Sequence, residues 1–315
     1  MAGSTPASPT ADAAVVARPV ARARHVAPWE EAWRRFRRHR LAVVSTVVLL
    51  AMILAVVFGP WLWRVQVNDI DFTAQLQTPT WAHPLGTDDL GQDLLARMLY
   101  GGRISLAVGL AAMMVSVVVG TIVGSLAGIS RGSVDAGLMW LTDLFLSLPP
   151  LPVLLLLIYL FREPMKVLVG AELGTFILIV AAIGAFRWMT TARLVRAQFF
   201  ALREKEFVEA ARALGASRSR LVIRHILPNA LGPVIVAGTI DVAAAIITES
   251  TLSFLGLGFP PDIPTWGRIL YDAKDNLDVA PHWALFAGGA IFLAVLAINF
   301  IGDGLRDALD PRRVK

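Results

Sequence analysis

Apolar residues gather in six long runs, and the polar and charged positions are pushed into the segments between them. A bilayer core is crossed by about 20 helical residues at about 1.5 Å each. The runs, at approximately 41–63, 104–129, 136–160, 175–189, 230–247 and 283–301, are read as spans on that scale. The third contains Pro149, Pro150 and Pro152; proline lacks the backbone donor and crowds the preceding turn, which predicts one kinked span. The fourth is the shortest and has room to extend past Arg187. The pattern predicts an all-α polytopic membrane protein with six transmembrane helices.

Composition agrees. Of 315 residues 56% are hydrophobic and 17% charged, with a mean hydropathy of +0.63, values that exclude an ordinary soluble domain. The absence of cysteine excludes a disulfide framework and thiolate metal sites. A net charge of +5 could suggest nucleic acid, but its distribution speaks for topology: of 29 Lys and Arg, 22 lie in segments on the side of the termini and 7 on the other. The positive-inside rule puts both termini, and the segment between the fourth and fifth runs, in the cytoplasm. The partner this implies is membrane lipid; nucleic acid is not expected.

Residues 1–28 are rich in Ala, Pro, Ser, Thr and Arg without periodicity, the pattern of a disordered tail. The apolar run that follows is too long and too late for a signal peptide. Over 29–40, Trp29, Trp33 and Phe36 recur at helical spacing among arginines, which reads either as an interfacial amphipathic helix or as a block of orienting charge. The remaining plan is a first span at 41–63, an external segment at 64–103, a membrane core at 104–303 that includes a cytoplasmic loop at 190–229, and a tail at 304–315.

That loop contains EFVEAARALGASRSRLVIRHILPNA. Between residues 202 and 214, Phe207, Ala210, Ala211 and Leu214 fall on one helical face, with Arg203, Glu204, Lys205 and Arg212 elsewhere. Gly215 suits a left-handed helix end, Ser217 can cap a second helix, and Pro228 is expected to stop that helix before the fifth span. A charged hairpin of this kind either docks on another protein or folds back on the bundle.

In GTDDLGQDLL the aspartates lack the alternating ligands and terminal glutamate of a calcium loop. Asp88 or Asp89 is instead expected to cap an amphipathic helix at 90–100. In TLSFLGLGFPP the glycines and prolines interrupt the helix and fold an apolar external loop back on the protein, as an outer gate near Phe254 or as simple packing. Ionisable residues within the spans are Asp143, Asp241, Glu249 and Asp303, with Arg187 near a span end. Charge at membrane depth costs about 2.5–3.5 kcal/mol or more, so such groups face a cavity or a partner. Asp143, Asp241, Glu249 and Phe254 are the candidate pathway or gate residues; pairing with a neighbouring helix is the alternative for Asp143 and Asp241, and hydration near the boundary for Glu249 and Asp303. No Gly-Lys pair occurs anywhere, so a phosphate-binding GxxxxGK[ST] loop is absent, as are a nucleophile elbow, an HExxH and a dinucleotide fingerprint. No catalytic, cofactor or metal residue is assigned.

Glu209-Ala210-Ala211, then Gly215 four residues on, then Leu227-Pro228, resembles the EAA loop of importer-type ABC transporter permeases. This chain departs from the general pattern by placing His225, with Ile226 after it, where an isoleucine precedes Leu-Pro by two positions. Three further stretches, HPLGTDDLGQDLLARMLYGGRISL from His83, ESTLSFLGLGFPPDIPTWGRIL from Glu249 and NFIGDGLRDALDPR from Asn299, resemble the C-type subunit of the dipeptide/oligopeptide/nickel branch. The resemblance runs from about Trp29 to the C-terminus. It implies a type I importer permease with a coupling helix between spans 4 and 5, where Glu206, Phe207, Glu209, Ala210, Ala211, Leu214, Gly215 and Pro228 engage an ATPase. It also implies a second homologous permease, two cytoplasmic ATP-binding subunits that use the ATP, and an extracytoplasmic solute-binding protein, in a bacterial cytoplasmic membrane. Peptide is the substrate implied, with nickel or another solute as the alternative within the family. From the residues alone, a stand-alone proton-coupled transporter and a membrane scaffold stay open.

Overall fold

The computed structural model describes residue 3, residues 28–130 and residues 132–309. The expected tail at 1–28 lies almost wholly outside the described residues, and so do positions 310–315 of the C-terminal tail.

Helix α1 (Pro28–Phe36) is followed by α2 (Arg40–Leu62), whose first turn is capped by the His39 ring accepting from the Ala42 amide at 3.1 Å. A long α3 (Leu94–Ile129), a bent pair α4 (Ser133–Ser147) and α5 (Pro150–Val169), and α6 (Ala171–Arg203) come next. After the short α7 (Glu206–Ala213), helix resumes at α8 (Arg218–Arg220), widens into a π turn (Leu221–Ile226) and continues as α9 (Leu227–Phe254). Helices α10 (Trp266–Ala273) and α11 (Pro281–Leu309) complete the fold. Among the described residues five helical stretches are long and apolar enough to cross a membrane, or six when the bent α4–α5 pair is counted as one span.

Contacts fix the directions of the helices. Gly120 of α3 lies against Thr191 of α6, Gly124 against Val195 and Gly128 against Phe199, so α3 and α6 run parallel. A side chain at Gly120 or Gly124 would meet the Trp188 or Ala192 carbonyl oxygen at 2.7 or 2.5 Å. Small residues every fourth position thus let two membrane helices touch along their backbones. Ser105 and Ser116 of α3 meet Glu249 and Asp241 of α9, which makes α9 antiparallel to α3. Phe36 and Ala42 pack on Ala308 of α11, so α1, the start of α2 and the end of α11 share one end of the bundle, called here the terminal end. The α7–α8 hairpin joins them there.

Several expectations need correction. The third run is not one kinked helix: Leu148 and Pro149 are extended, and the two halves meet at 86°. Consecutive prolines favour a clean break with Pro150 starting a new helix, because its missing amide is free of cost in a first turn. No separate helix starts at residue 90. Asp88 turns its carboxylate back on the Leu90 and Gln92 amides, and Asp93 caps α3 by accepting from Ala96 at 2.7 Å. That helix runs on into the span without interruption. α1 does not lie wholly on a surface, since Phe36 is buried against α11 while Trp33 is exposed. Residues 304–309 are the last turns of α11 and not a tail.

Candidate functional site

The hairpin is built by three local devices. First, α6 is 33 residues long, about 50 Å against a bilayer core of about 30 Å, so it carries its last turns beyond the apolar layer. Second, α7 is anchored by one fully buried side chain: Val208 packs among Val195, Phe199, Leu221 and Ile226. Third, α7 ends in a Schellman turn. Ala216 donates to the Ala211 carbonyl at 3.1 Å and Gly215 to that of Arg212 at 3.0 Å, with Gly215 at φ +82°. Open space surrounds Gly215, so glycine is required there by backbone conformation alone. Ser217 then accepts from the Arg220 amide at 3.4 Å to start the next helix.

The structure brings Glu206, Phe207, Glu209, Ala210, Ala211, Leu214 and Gly215 together on this hairpin. The predicted apolar face is turned outward: Phe207 is 43% exposed, Leu214 89% and Ala210 exposed, with only Ala211 partly covered, and Glu206 and Glu209 are exposed beside it. Val208 is the face that packs. An apolar, acidic outer surface is therefore held away from the bundle.

Pro228 does not stop the helix. In the π turn the Leu227 amide reaches the Val222 carbonyl five residues back, and the Asn229 side chain donates to the His225 carbonyl at 2.6 Å. These bonds absorb the mismatch that a proline creates, so helix runs from Arg218 to Phe254 over 37 residues.

The other candidates sit apart. Asp143 of α4 is exposed and pairs with Arg193 of α6. Asp241, near the midpoint of α9, is buried and accepts from Arg187 Nε and Nη2 at 2.9 and 2.6 Å and from Ser116 at 2.8 Å. Glu249 is fully buried, not hydrated: it accepts from Ser253 at 2.8 Å, Thr265 at 2.9 Å and Ser105 at 3.4 Å. Phe254 ends α9 with its ring 43% exposed, and the chain turns back through Gly256 at φ +80° to bury Phe259 and Ile263.

The opposite end, unremarked in the sequence, holds a dense charge cluster. Arg97 is buried among Asp88 at 3.5 Å, Asp272 at 3.8 Å, the Pro261 carbonyl at 3.2 Å and the Gln92 amide oxygen. Burial pushes Asp88 up to about 6 although Arg97 opposes the shift, and burial likewise raises Asp272 against Arg268. Alongside, Asp93 binds the Trp63 indole and the His83 ring, each at 2.9 Å. The signal for this cluster lay in the DD-x3-D-x3-R spacing, which puts four charges within one loop and helix start.

The bundle thus joins membrane-length helices with a buried charge cluster at one end and an exposed hairpin at the other. The chain belongs to the family described as binding-protein-dependent transport system inner membrane component, whose model matches residues 120–315. Residues 27–79 match the N-terminal TM domain of oligopeptide transport permease C. The chain is 43% identical over 286 residues to the oligopeptide transport system permease protein OppC of Escherichia coli K12, covering 90% of this chain and 91% of that one. It is 40% identical to OppC of Haemophilus influenzae, over 90% of this chain and 88% of that one. In fold it is similar to a chain of the MetNI methionine ABC transporter solved in inward facing conformations, with a TM-score of 0.53 and 23% identity over 69% of this chain and 96% of that one.

Proposed function

We propose that this chain is one of two membrane subunits of an ATP-driven importer of di- and oligopeptides in a bacterial cytoplasmic membrane. In this reading it pairs with a homologous permease, receives peptide from an extracytoplasmic binding protein, and is driven by two cytoplasmic ATPases docked on α7. The terminal end is cytoplasmic, in keeping with the skew of basic residues toward it. The observation that carries the reading is the outer face of α7: Phe207 and Leu214 stand exposed beside Glu206 and Glu209 while Val208 and the Schellman turn hold the helix rigidly. Exposed apolar side chains on a fixed short helix suit insertion into a groove of another protein. Closure of the ATPase pair would displace α7 as a body and reorient the spans. The chain itself has no phosphate-binding loop, so hydrolysis falls to the partners.

The test is affinity purification from the native host in mild detergent, with uptake measured in the same strain. Co-purification of two ATPases and a second permease, with uptake that needs ATP and survives collapse of the proton gradient, is expected. Glu209→Lys and Gly215→Pro should insert normally and hydrolyse ATP without uptake. Normal uptake by both variants at wild-type levels would sink the coupling role, and uptake by the chain alone in proteoliposomes would sink the importer reading.

A further inference from the structure

The polar cluster at the middle of α9 has an asymmetry that assigns it a role. Asp241 is shut in: its carboxylate is occupied by Arg187 Nε and Nη2, Ser116 and, at 3.4 Å, Thr191. The Arg187 side chain is 28% exposed against 7% for that of Asp241. Both bonds from the guanidinium to Asp241 use Nε and Nη2, and Nη1 is not among the buried unpartnered nitrogens. The outward edge of this ion pair is therefore positive, with a donor at the surface of the α6–α9 seam. That edge lies on two membrane-length helices, α6 and α9, where an arginine facing hydrocarbon is costly. An accessible guanidinium there belongs on a wet surface.

We infer that the α6–α9 seam lines the translocation path and that Arg187, not Asp241, is the group presented to the passing substrate, as a donor to the C-terminal carboxylate of a peptide. The inference rests on the importer reading above and adds the side chain and the substrate group it meets. Ser116, Thr191 and Asp241 act behind it, fixing the guanidinium so that its free edge points outward. A charge-assisted donor of this kind prefers a carboxylate to the neutral amide that replaces it in a C-terminally amidated peptide.

The experiment uses the complete importer in proteoliposomes with its binding protein, and compares initial uptake of one peptide with a free C-terminal carboxylate and of the same peptide amidated, each at a concentration that saturates the binding protein. The ratio of the two rates is read for wild type, for the neutral pair Arg187→Gln/Asp241→Asn and for Asp241→Asn alone. Because the same binding protein serves all three, its own preference cancels between variants. The double variant is expected to lower the carboxylate-to-amide ratio about tenfold, the scale of one charge-assisted hydrogen bond; Asp241→Asn, which frees the guanidinium from its counter-ion, is expected to raise the ratio. An unchanged ratio in both variants, with uptake intact, would overturn the inference while leaving the importer reading in place. Should the double variant fail to insert, the single variant decides, and a ratio that does not rise there overturns the inference. Absence of ATP-driven uptake of either peptide by wild type would instead overturn the importer reading on which it rests.

Discussion

The two ends of the bundle are made on opposite principles. Away from the termini, Thr87, Asp88, Gln92, Asp93, Arg97 and Thr265 are all buried, and Trp266 and Trp283 are among the largest fully enclosed side chains. At the terminal end, the α7 hairpin has one buried anchor, Val208, and shows most of its other side chains to the outside. Buried charges are costly to disturb, because removing one partner strands the others. A hairpin packed through one valine leaves most of its side chains free to make new contacts. The difference separates an end built inward from an end whose side chains stay available.

The largest predicted effect breaks the rigid end. Arg97→Ala leaves Asp88 and Asp272 without their shared cation and should destabilise the cap by about 3–5 kcal/mol, seen as a lower Tm by tryptophan fluorescence in detergent and as new protease cleavage within 64–93. A Tm equal to wild type would mean that the cluster contributes nothing net.

Next comes the pH response of the same end. Asp88 holds its proton in the fold up to about 6, whereas in the unfolded chain it has lost it above the ordinary carboxylate value. The contribution of Asp88 is thus fullest at acidic pH and is lost as pH rises through that window, by on the order of 3 kcal/mol. Asp88→Asn should flatten the Tm profile between about pH 4 and 6, and an unaltered slope would assign the response to another group.

At the terminal end the effects are smaller and local. Gly215→Ala forces a side chain into φ +82°, for roughly 1–2 kcal/mol. Faster hydrogen exchange confined to 206–217 with an unchanged global Tm is the expected result, and a drop in global Tm would contradict the separation of the two ends. Smallest of all, Leu214→Ser should alter stability by less than about 0.5 kcal/mol because the side chain is solvated already. It should nevertheless weaken capture of the ATPase partners in a pull-down; undiminished capture would remove Leu214 from the docking face.

The spans were legible in the sequence because hydropathy over about 20 residues outweighs local propensity. Their ends were not. Asp88, Asp89 and Asp93 all stand at plausible cap positions, and only the pairing of Asp88 with Arg97 and with the Leu90 and Gln92 amides leaves Asp93 to cap α3. The hairpin was found, with its glycine turn and serine cap, but Val208, the side chain that packs it, was not singled out. An eight-residue helix offers both Val208 and the Phe207–Leu214 side as apolar, and the neighbours Phe199 and Leu221 decide between them. Pro228 misled because a π turn leaves no mark in hydrophobic periodicity. The glycines at 120, 124 and 128 were a readable sign of close helix packing. Arg187 was noticed as a charge near a span end, but which member of its pair faces outward depends on tertiary burial.

Continuous helix from Arg218 to Phe254 ties events at the two ends into a single angular coordinate. Each residue along a helix is offset by about 100°, so the azimuths of Asp241 and Glu249 are locked to that of the turn leaving Ser217. A rotation imposed at Ser217 would carry Asp241 past Arg187 and Glu249 past Thr265 in the same stroke. Any turn imposed at the hairpin would then reach the far end as a twist, and the proline that was expected to end the shaft sits in its bearing.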